Sequence, residues 1–322
     1  MANTPDELGV IRSIVGRARE LPKGYSRIGD DVAVLPMGKG KLVLKVDMLV
    51  EHTDVPPGMT YRQAARKAVA MCVSDFAAKG VRPDSFVVSL GLRKGVSQEE
   101  VDGLASGFRD AEKEWGVLLV GGDTNEAKEL VIDCAMVGFA KRLVPRTGAG
   151  PGDALVVSGP FGYPPSGLRI LNGSAGAGQD FGTRAKASVL NPTPNLSVGM
   201  ALASHLSSAM DSSDGLARSL HTLAEQSRVG FEVTALPVGE GVKEFASANG
   251  LSMEELVLEG GEEYVIVGTV PKSRVGAARA AAEKAGGRLI EIGKATSNPR
   301  RVVLVEGKKR KPIRDYGWTH LS

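Results

Sequence analysis

Between residues 141 and 152 the chain reads KRLVPRTGAGPG, and neither helical nor strand periodicity survives the passage. Proline removes a backbone donor and fixes φ, and glycine frees φ, so such a run ends elements instead of continuing them. It falls near the middle of 322 residues and leaves a stretch of ordinary domain size on either side, each long enough to bury a core. The expected organisation is an N-terminal domain over 1–140, a linker over 141–152 and a C-terminal domain over 153–322.

In the first half VAVLP, KLVLKVDMLV, DSFVVSLGL, VLLVGG and LVIDCAMVGFA read as strands by β-branched content and alternation. TYRQAARKAVAMCVSDFAAKG and SQEEVDGLASGFRDAEKEWG read as helices, the second opened by a capping box of Ser97 and Glu100. The second half predicts strands at DALVVSG, YVIVGTV, RLIEIG and RVVLVEG, and helices near 163–173, 195–207, 214–228 and in SRVGAARAAAEKAG. NGSAGAGQ reads as a loop, KGKLVLK as an edge or exposed strand, and GKKRKPIRD as a solvated loop near the end of the chain. The fold class is therefore α/β (α+β) in two domains: a mixed sheet with helices, then a layered α/β unit.

Several function classes fall away. No run approaches the ~20 apolar residues of a membrane span, and MANTPDELGV lacks the apolar core of a signal peptide, so a cytoplasmic protein without membrane partners is expected. Cys72 and Cys134 lie in apolar contexts without a CxxC pattern, which suits core packing. The four histidines, His52, His205, His221 and His320, lack HExxH spacing. GxxxxGK[ST] and GxSxG are absent as well, and a net charge of +3 gives no reason to invoke nucleic acid.

The placing of the aspartates is more informative. They stand beside glycine or serine in IGDDVAVL (Asp30, Asp31), KVDMLVE (Asp47), CVSDFAAKG (Asp75), VGGDTNE (Asp123) and MDSSDGL (Asp211, Asp214). Taken singly, GDD and GGDT resemble turns and DSSDG a helix N-cap, with Ser212 bonding backbone in the turn. Asp75 differs, because it interrupts an apolar helical run where a carboxylate is costly unless paired or bound to metal. If the segments converge, mutual repulsion requires cations, and an all-oxygen donor set selects Mg²⁺. Phosphoryl transfer is the chemistry such a cluster serves, since its barrier is lowered mainly by positioning and charge neutralisation; no side-chain nucleophile is needed.

In this order GDD, D-x-L-V-E, V-S-D-x-A-A-x-G, G-G-D-T, R-x-G-A-x-P-G-D, D-x-S-D-G-L and G-G-E-[DE]-Y resemble the thiamine-monophosphate kinases, archaeal members most of all. That family shares a superfamily with aminoimidazole ribonucleotide synthetase, selenophosphate synthetase and a hydrogenase-maturation dehydratase. The resemblance implies in-line transfer from ATP to thiamine monophosphate, and a homodimer whose N-terminal sheets pair into a barrel. It implies several Mg²⁺ ions on Asp30, Asp47, Asp75, Asp123, Asp211 and Asp214, and ATP on Gly122, Asp123, Arg146 and Ser213. The substrate falls to Asp54, Glu262 and Trp318, whose aromatic face suits a cationic thiazolium.

Three departures stand out. Lys45-Val46 replaces the Ser/Thr-Thr that gives metal oxygens in the family, Asp54 replaces a frequent histidine, and Glu263 replaces the usual aspartate of GGEDY. The competing readings are an aminoimidazole ribonucleotide synthetase-like enzyme and a catalytically silent nucleotide- and metal-binding homologue. The reactive N-terminal or C-terminal cysteine of the other superfamily branches has no counterpart here.

Overall fold

The computed structural model describes residues 7–26 and 28–319; His320 lies outside the described residues. Among the described residues the first half runs α1 (Glu7–Val15), β1 (Ala33–Met37), β2 (Gly40–Val50), α2 (Glu51–Asp54), α3 (Tyr61–Lys79), β3 (Pro83–Leu92), α4 (Gln98–Trp115), β4 (Leu118–Glu126) and β5 (Val131–Ala140). The second runs β6 (Ala154–Val157), α5 (Tyr163–Leu171), α6 (Gln179–Leu190), α7 (Leu196–Leu202), β7 (Ser208–Ser212), α8 (Leu216–Ser227), β8 (Gly230–Val233), α9 (Val242–Ala248), α10 (Met253–Leu258), β9 (Val265–Val270), α11 (Val275–Lys284), β10 (Ile290–Thr296), β11 (Val302–Glu306) and β12 (Lys309–Pro312).

The first five strands form a mixed sheet in the order β1-β2-β5-β3-β4, with only β3 and β4 parallel. Its inner face packs under α3: Val43, Leu49, Ile132, Cys134 and Met136 join Ala68, Val69, Cys72, Val73 and Phe76 in one core. Both cysteines are buried and free. The outer face is apolar and open, with Val46, Met48, Leu118, Val120 and Phe139 each more than half exposed. Pairing aligns Val46, Ala135, Val87 and Gly121 in one row across it.

Helix α3 begins at a capping box of Thr60 and Gln63 and ends at Gly80 in the left-handed region, φ 61°. Fourteen of its nineteen residues are buried, because it serves two sheets at once. Ala209 of β7, Ile266 of β9 and Leu196 of α7 belong to the same core as the N-terminal sheet. A Cβ at Gly199 would stand 2.1 Å from the Ala77 carbonyl oxygen, so glycine alone allows α7 to approach α3 this closely.

The other seven strands run β12-β11-β8-β10-β6-β9-β7. One face takes α8, with Leu216 and Leu220 against Leu155, Val157 and Val267. The opposite face takes α7 and α11, with Val198, Leu202, Ala278 and Ala282 against Ala154 and Val156.

Four sequence expectations change. The helix expected over 195–207 stops at Leu202, and 208–212 is the wholly buried strand β7. KGKLVLK lies in β2, an interior strand and not an edge. GKKRKPIRD contains the exposed edge strand β12, since β11 gives its alternating lysines and arginines a ladder to join. DSSDG does not cap by side chain: the N-cap of α8 is Gly215, and Ser212 ends β7 with its hydroxyl accepting from Ser219 Oγ at 3.1 Å.

Candidate active site

Asp75 is buried on α3, beside Ser74 and one turn before Lys79 in an otherwise apolar stretch, and β7 carries Asp211 towards it. With Asp31, from the turn before β1, these carboxylates place oxygens within 4.8 Å of one another, all buried. Two like charges ~5 Å apart repel by about 3 kcal/mol even at an effective dielectric of ~20. The group can persist only beside cations or with protons bound.

The chain supplies three cations. Lys45, whose strand partner Met136 marks it as inner-face, places Nζ 2.9 Å from Asp75 Oδ2 and 3.1 Å from Asp47 Oδ1. Lys79, one turn after Asp75, places its ammonium 2.6 Å from both Asp30 Oδ1 and Asp31 Oδ2 as ion pairs and donates to the Ala209 carbonyl at 2.7 Å. Arg146 donates from Nε to Asp31 Oδ1 at 2.7 Å, from Nη2 to the same oxygen, and from Nη1 to the Gly29 carbonyl at 2.8 Å. Ser74 Oγ donates to Asp211 Oδ2 at 3.1 Å.

The acid strengths follow. Burial raises Asp31, but Lys79 and Arg146 outweigh it and hold the carboxyl below its usual range. Burial and then the Asp211 charge hold Asp75 well above that range despite Lys45. Asp211 is pushed up to about 6 by burial and then by Asp31. Burial lowers Lys45, yet Asp75, Asp47 and Asp211 keep its ammonium well above the ordinary lysine value.

Two cavities open at residues that flank the group in sequence, Asp30 in one and Ser213 and Asp214 in the other. One of about 580 Å³ is lined by Tyr25, Ile28, Asp30, Pro145, Thr147 and Gln226. The other, about 690 Å³, is lined by Thr53, Asp54, Ser213, Asp214, Glu262, Tyr264, Tyr316 and Trp318 among others. Its wall is built from loops in close backbone contact: Glu262 N–H donates to the Ser213 carbonyl at 2.6 Å and Trp318 N–H to the Asp214 carbonyl at 3.0 Å. Glu262 (φ 62°) and Tyr264 (φ 50°) both adopt left-handed backbone, a cost that marks a constrained site. Lys67, completely buried, donates to the Asp54 carbonyl at 2.8 Å and to Glu262 Oε1; Glu262 Oε2 is buried without a hydrogen-bond partner.

The sequence-assigned residues thus distribute unevenly. Asp31, noted in the sequence but not assigned a ligand role, sits in the group with Asp75 and Asp211, while Asp30 pairs with Lys79 and lines the first cavity. Asp47 reaches the group through Lys45. Asp214, Ser213, Asp54, Glu262 and Trp318 line the second cavity. The Asp54 carboxylate turns back on its own loop, accepting from Val50 N–H and Thr53 Oγ1 at 2.8 Å each. Glu263 faces away, accepting from Gly162 N–H at 2.5 Å. Gly122 and Asp123 are not brought in: β4 is three strands from β2, about 14 Å at ordinary strand spacing, and Asp123 pairs with Ser89.

The AIR synthase related protein N-terminal domain profile matches residues 29–140, and the C-terminal domain profile of that family matches residues 150–306. A thiamine-monophosphate kinase of Nitrosopumilus maritimus is 38% identical over 90% of this chain and 92% of its own length. The chain belongs to the thiamine-monophosphate kinase family. The family enzyme of Pyrococcus abyssi is 34% identical over 92% of this chain and 91% of its own. Among solved structures, AaThiL complexed with AMPPCP and TMP superposes with a TM-score of 0.84 at 28% identity, covering 98% of this chain and 97% of that one. The two-sheet α+β architecture is therefore that of the thiamine-monophosphate kinases.

Proposed function

We propose that the chain transfers the γ-phosphoryl group of ATP to the phosphate of thiamine monophosphate, giving thiamine diphosphate and ADP. The observation that carries this reading is the buried group of Asp31, Asp75 and Asp211, with cavities lined by the flanking Asp30 and by Ser213 and Asp214, in a family whose AaThiL member is complexed with AMPPCP and TMP. An oxygen of the acceptor phosphate attacks the γ-phosphorus, the bond to the ADP oxygen breaks in line, and no enzyme atom joins the reacting phosphorus.

Mg²⁺ fits the donor set, which is all carboxylate and hydroxyl with crowded oxygens. Held by Asp31, Asp75 and Asp211, with Asp30, Asp47 and Asp214 beside them, it would neutralise phosphate charge. Arg146 lies between Pro145 and Thr147 of the first cavity's lining, where its guanidinium can turn from Asp31 to grip nucleotide oxygens, with Ser213 offering a hydroxyl from the second cavity. Glu262 and Trp318 orient the substrate in the second cavity, Glu262 by its carboxylate and Trp318 by an aromatic face beside the thiazolium.

The open apolar face of the N-terminal sheet supports a homodimer in which the sheets of two copies pair. That arrangement would give Gly122 and Asp123, on the exposed edge strand β4, a site to complete in the second copy. The domain limits 1–140 and 153–322 about a 141–152 linker belong to the same reading. No helix among the described residues is long and apolar enough to cross a membrane, and a substrate set of ATP and thiamine monophosphate suits the cytoplasm.

A coupled assay of ADP release with thiamine monophosphate, free thiamine and formylglycinamidine ribonucleotide tests the reaction. ADP and thiamine diphosphate should appear together, with thiamine monophosphate alone as acceptor. Turnover on the ribonucleotide instead, or nucleotide binding without any product, would replace this reading.

A further inference from the structure

Lys45 introduces a full positive charge into a place whose chemistry otherwise calls for metal. We propose that its ammonium is a built-in cation that takes the position of one divalent ion, so that this chain assembles its transfer site with one Mg²⁺ fewer than the same carboxylates would bind without it. The proposal rests on the reading of the acidic group as a metal centre.

Position comes first. Lys45 and Asp47 are two apart on β2, so both point to the inner face, where Asp75 of α3 meets them. Nζ bridges Asp75 Oδ2 at 2.9 Å and Asp47 Oδ1 at 3.1 Å, joining carboxylates from two elements as a bridging divalent ion would. A Mg²⁺ ion needs oxygens at about 2.0–2.1 Å, so one bound between those same two oxygens would overlap the ammonium.

Charge points the same way. Setting aside Asp214 on the second cavity's loop, Asp30, Asp31, Asp47, Asp75 and Asp211 carry five formal negative charges, and Lys45, Lys79 and Arg146 carry three positive ones in direct contact with all of these but Asp211. The two charges left over match one divalent ion before any phosphate arrives. Without Lys45 three remain, which invites a second ion. Lys79 and Arg146 do not substitute for it, because their ion pairs are with Asp30 and Asp31, whereas Lys45 pairs with Asp47 and Asp75.

The test counts ions. Full-length protein saturated with AMPPCP is titrated with Mn²⁺, and bound ions per chain are measured by electron paramagnetic resonance for wild type, Lys45→Met and Lys45→Thr. The expected result is one additional Mn²⁺ per chain in both variants. In parallel, the Tm of Lys45→Met should fall below wild type in EDTA and recover in saturating Mg²⁺, because the ion replaces the lost ammonium. Equal counts of one or more ions in all three proteins would overturn the inference and leave the metal centre standing. Failure of saturating Mg²⁺ to restore the fold of either variant would overturn it too. A wild type that binds no Mn²⁺ with AMPPCP would remove the metal centre itself, and this inference with it.

Discussion

Lys67 Nζ, fully buried in α3, donates to Glu262 Oε1 across 195 positions of sequence and anchors one wall of the second cavity from beneath. The pair fixes a carboxylate whose other oxygen is buried and free of protein hydrogen bonds, the acceptor proposed above to meet the substrate. On that proposal Lys67 is a positioning residue that acts through Glu262. Lys67→Met should cost about 3–5 kcal/mol of stability, because it strands a buried charge. It should also raise the KM for thiamine monophosphate ~10-fold, the scale of one charged hydrogen bond, with the KM for ATP unchanged. Trp318→Ala should raise the same KM without the stability loss, since Trp318 is 56% exposed. Steady-state kinetics beside thermal melts separate the two effects; an unchanged substrate KM in both variants would empty the second cavity of its assigned role.

Asp75 stands within the buried group and Asp214 on the loop that lines the second cavity. Asp75→Asn and Asp214→Asn should each lower kcat by about 10²–10³-fold, the usual loss when stabilisation of transition-state charge is removed. Single-turnover measurements with saturating ATP and Mg²⁺ read this directly. Near-normal kcat in both would mean that the two carboxylates do not share one centre.

Much of this site was legible because a carboxylate in an apolar helix is conspicuous. The reasoning that singled out Asp75 in AVAMCVSDFAA applies equally to Lys67 and Lys79, eight residues before it and four after, on the same buried helix. Their charges escape notice because lysine is so often solvated. The strand β7 was hidden for another reason: SAMDS is short, buried on both faces and without alternation, so its pattern resembles a helix start. Asp123 was visible as a motif, yet its place depends on sheet order, which a single sequence does not specify.

The acid–base balance of the group predicts a pH signature. Asp211 titrates at about 6 in the folded chain against an ordinary value of 3.8, raised by burial and then by Asp31. The folded state therefore binds more protons than the unfolded state between those values, and stability without metal should fall as pH rises through that window. Mg²⁺ requires the carboxylate, so the Tm increase on adding Mg²⁺ should be smaller at pH 5 than at pH 7.5. Melts in EDTA and in Mg²⁺ across that range test both statements. A Mg²⁺ effect independent of pH would remove Asp211 from the binding group.

The open face of the first sheet makes the last prediction. Leu118 and Val120 are 61% and 63% exposed on β4, and Val46, Met48 and Phe139 lie on the outer face of the strands beyond it. An apolar surface of this extent on a sheet edge favours association. Val120→Glu should convert a dimer to a monomer in sedimentation velocity. Because Val120 is 63% exposed on β4, away from the buried acidic group, its substitution should spare the fold, which circular dichroism can confirm. If Asp123 works in the site of the second copy, the same variant should also lose most of its kcat at dilute protein concentration, and mixing it with Asp75→Asn protein should not restore it. A Val120→Glu monomer with full activity would show that each chain builds its site alone and would release Gly122 and Asp123 from their nucleotide role.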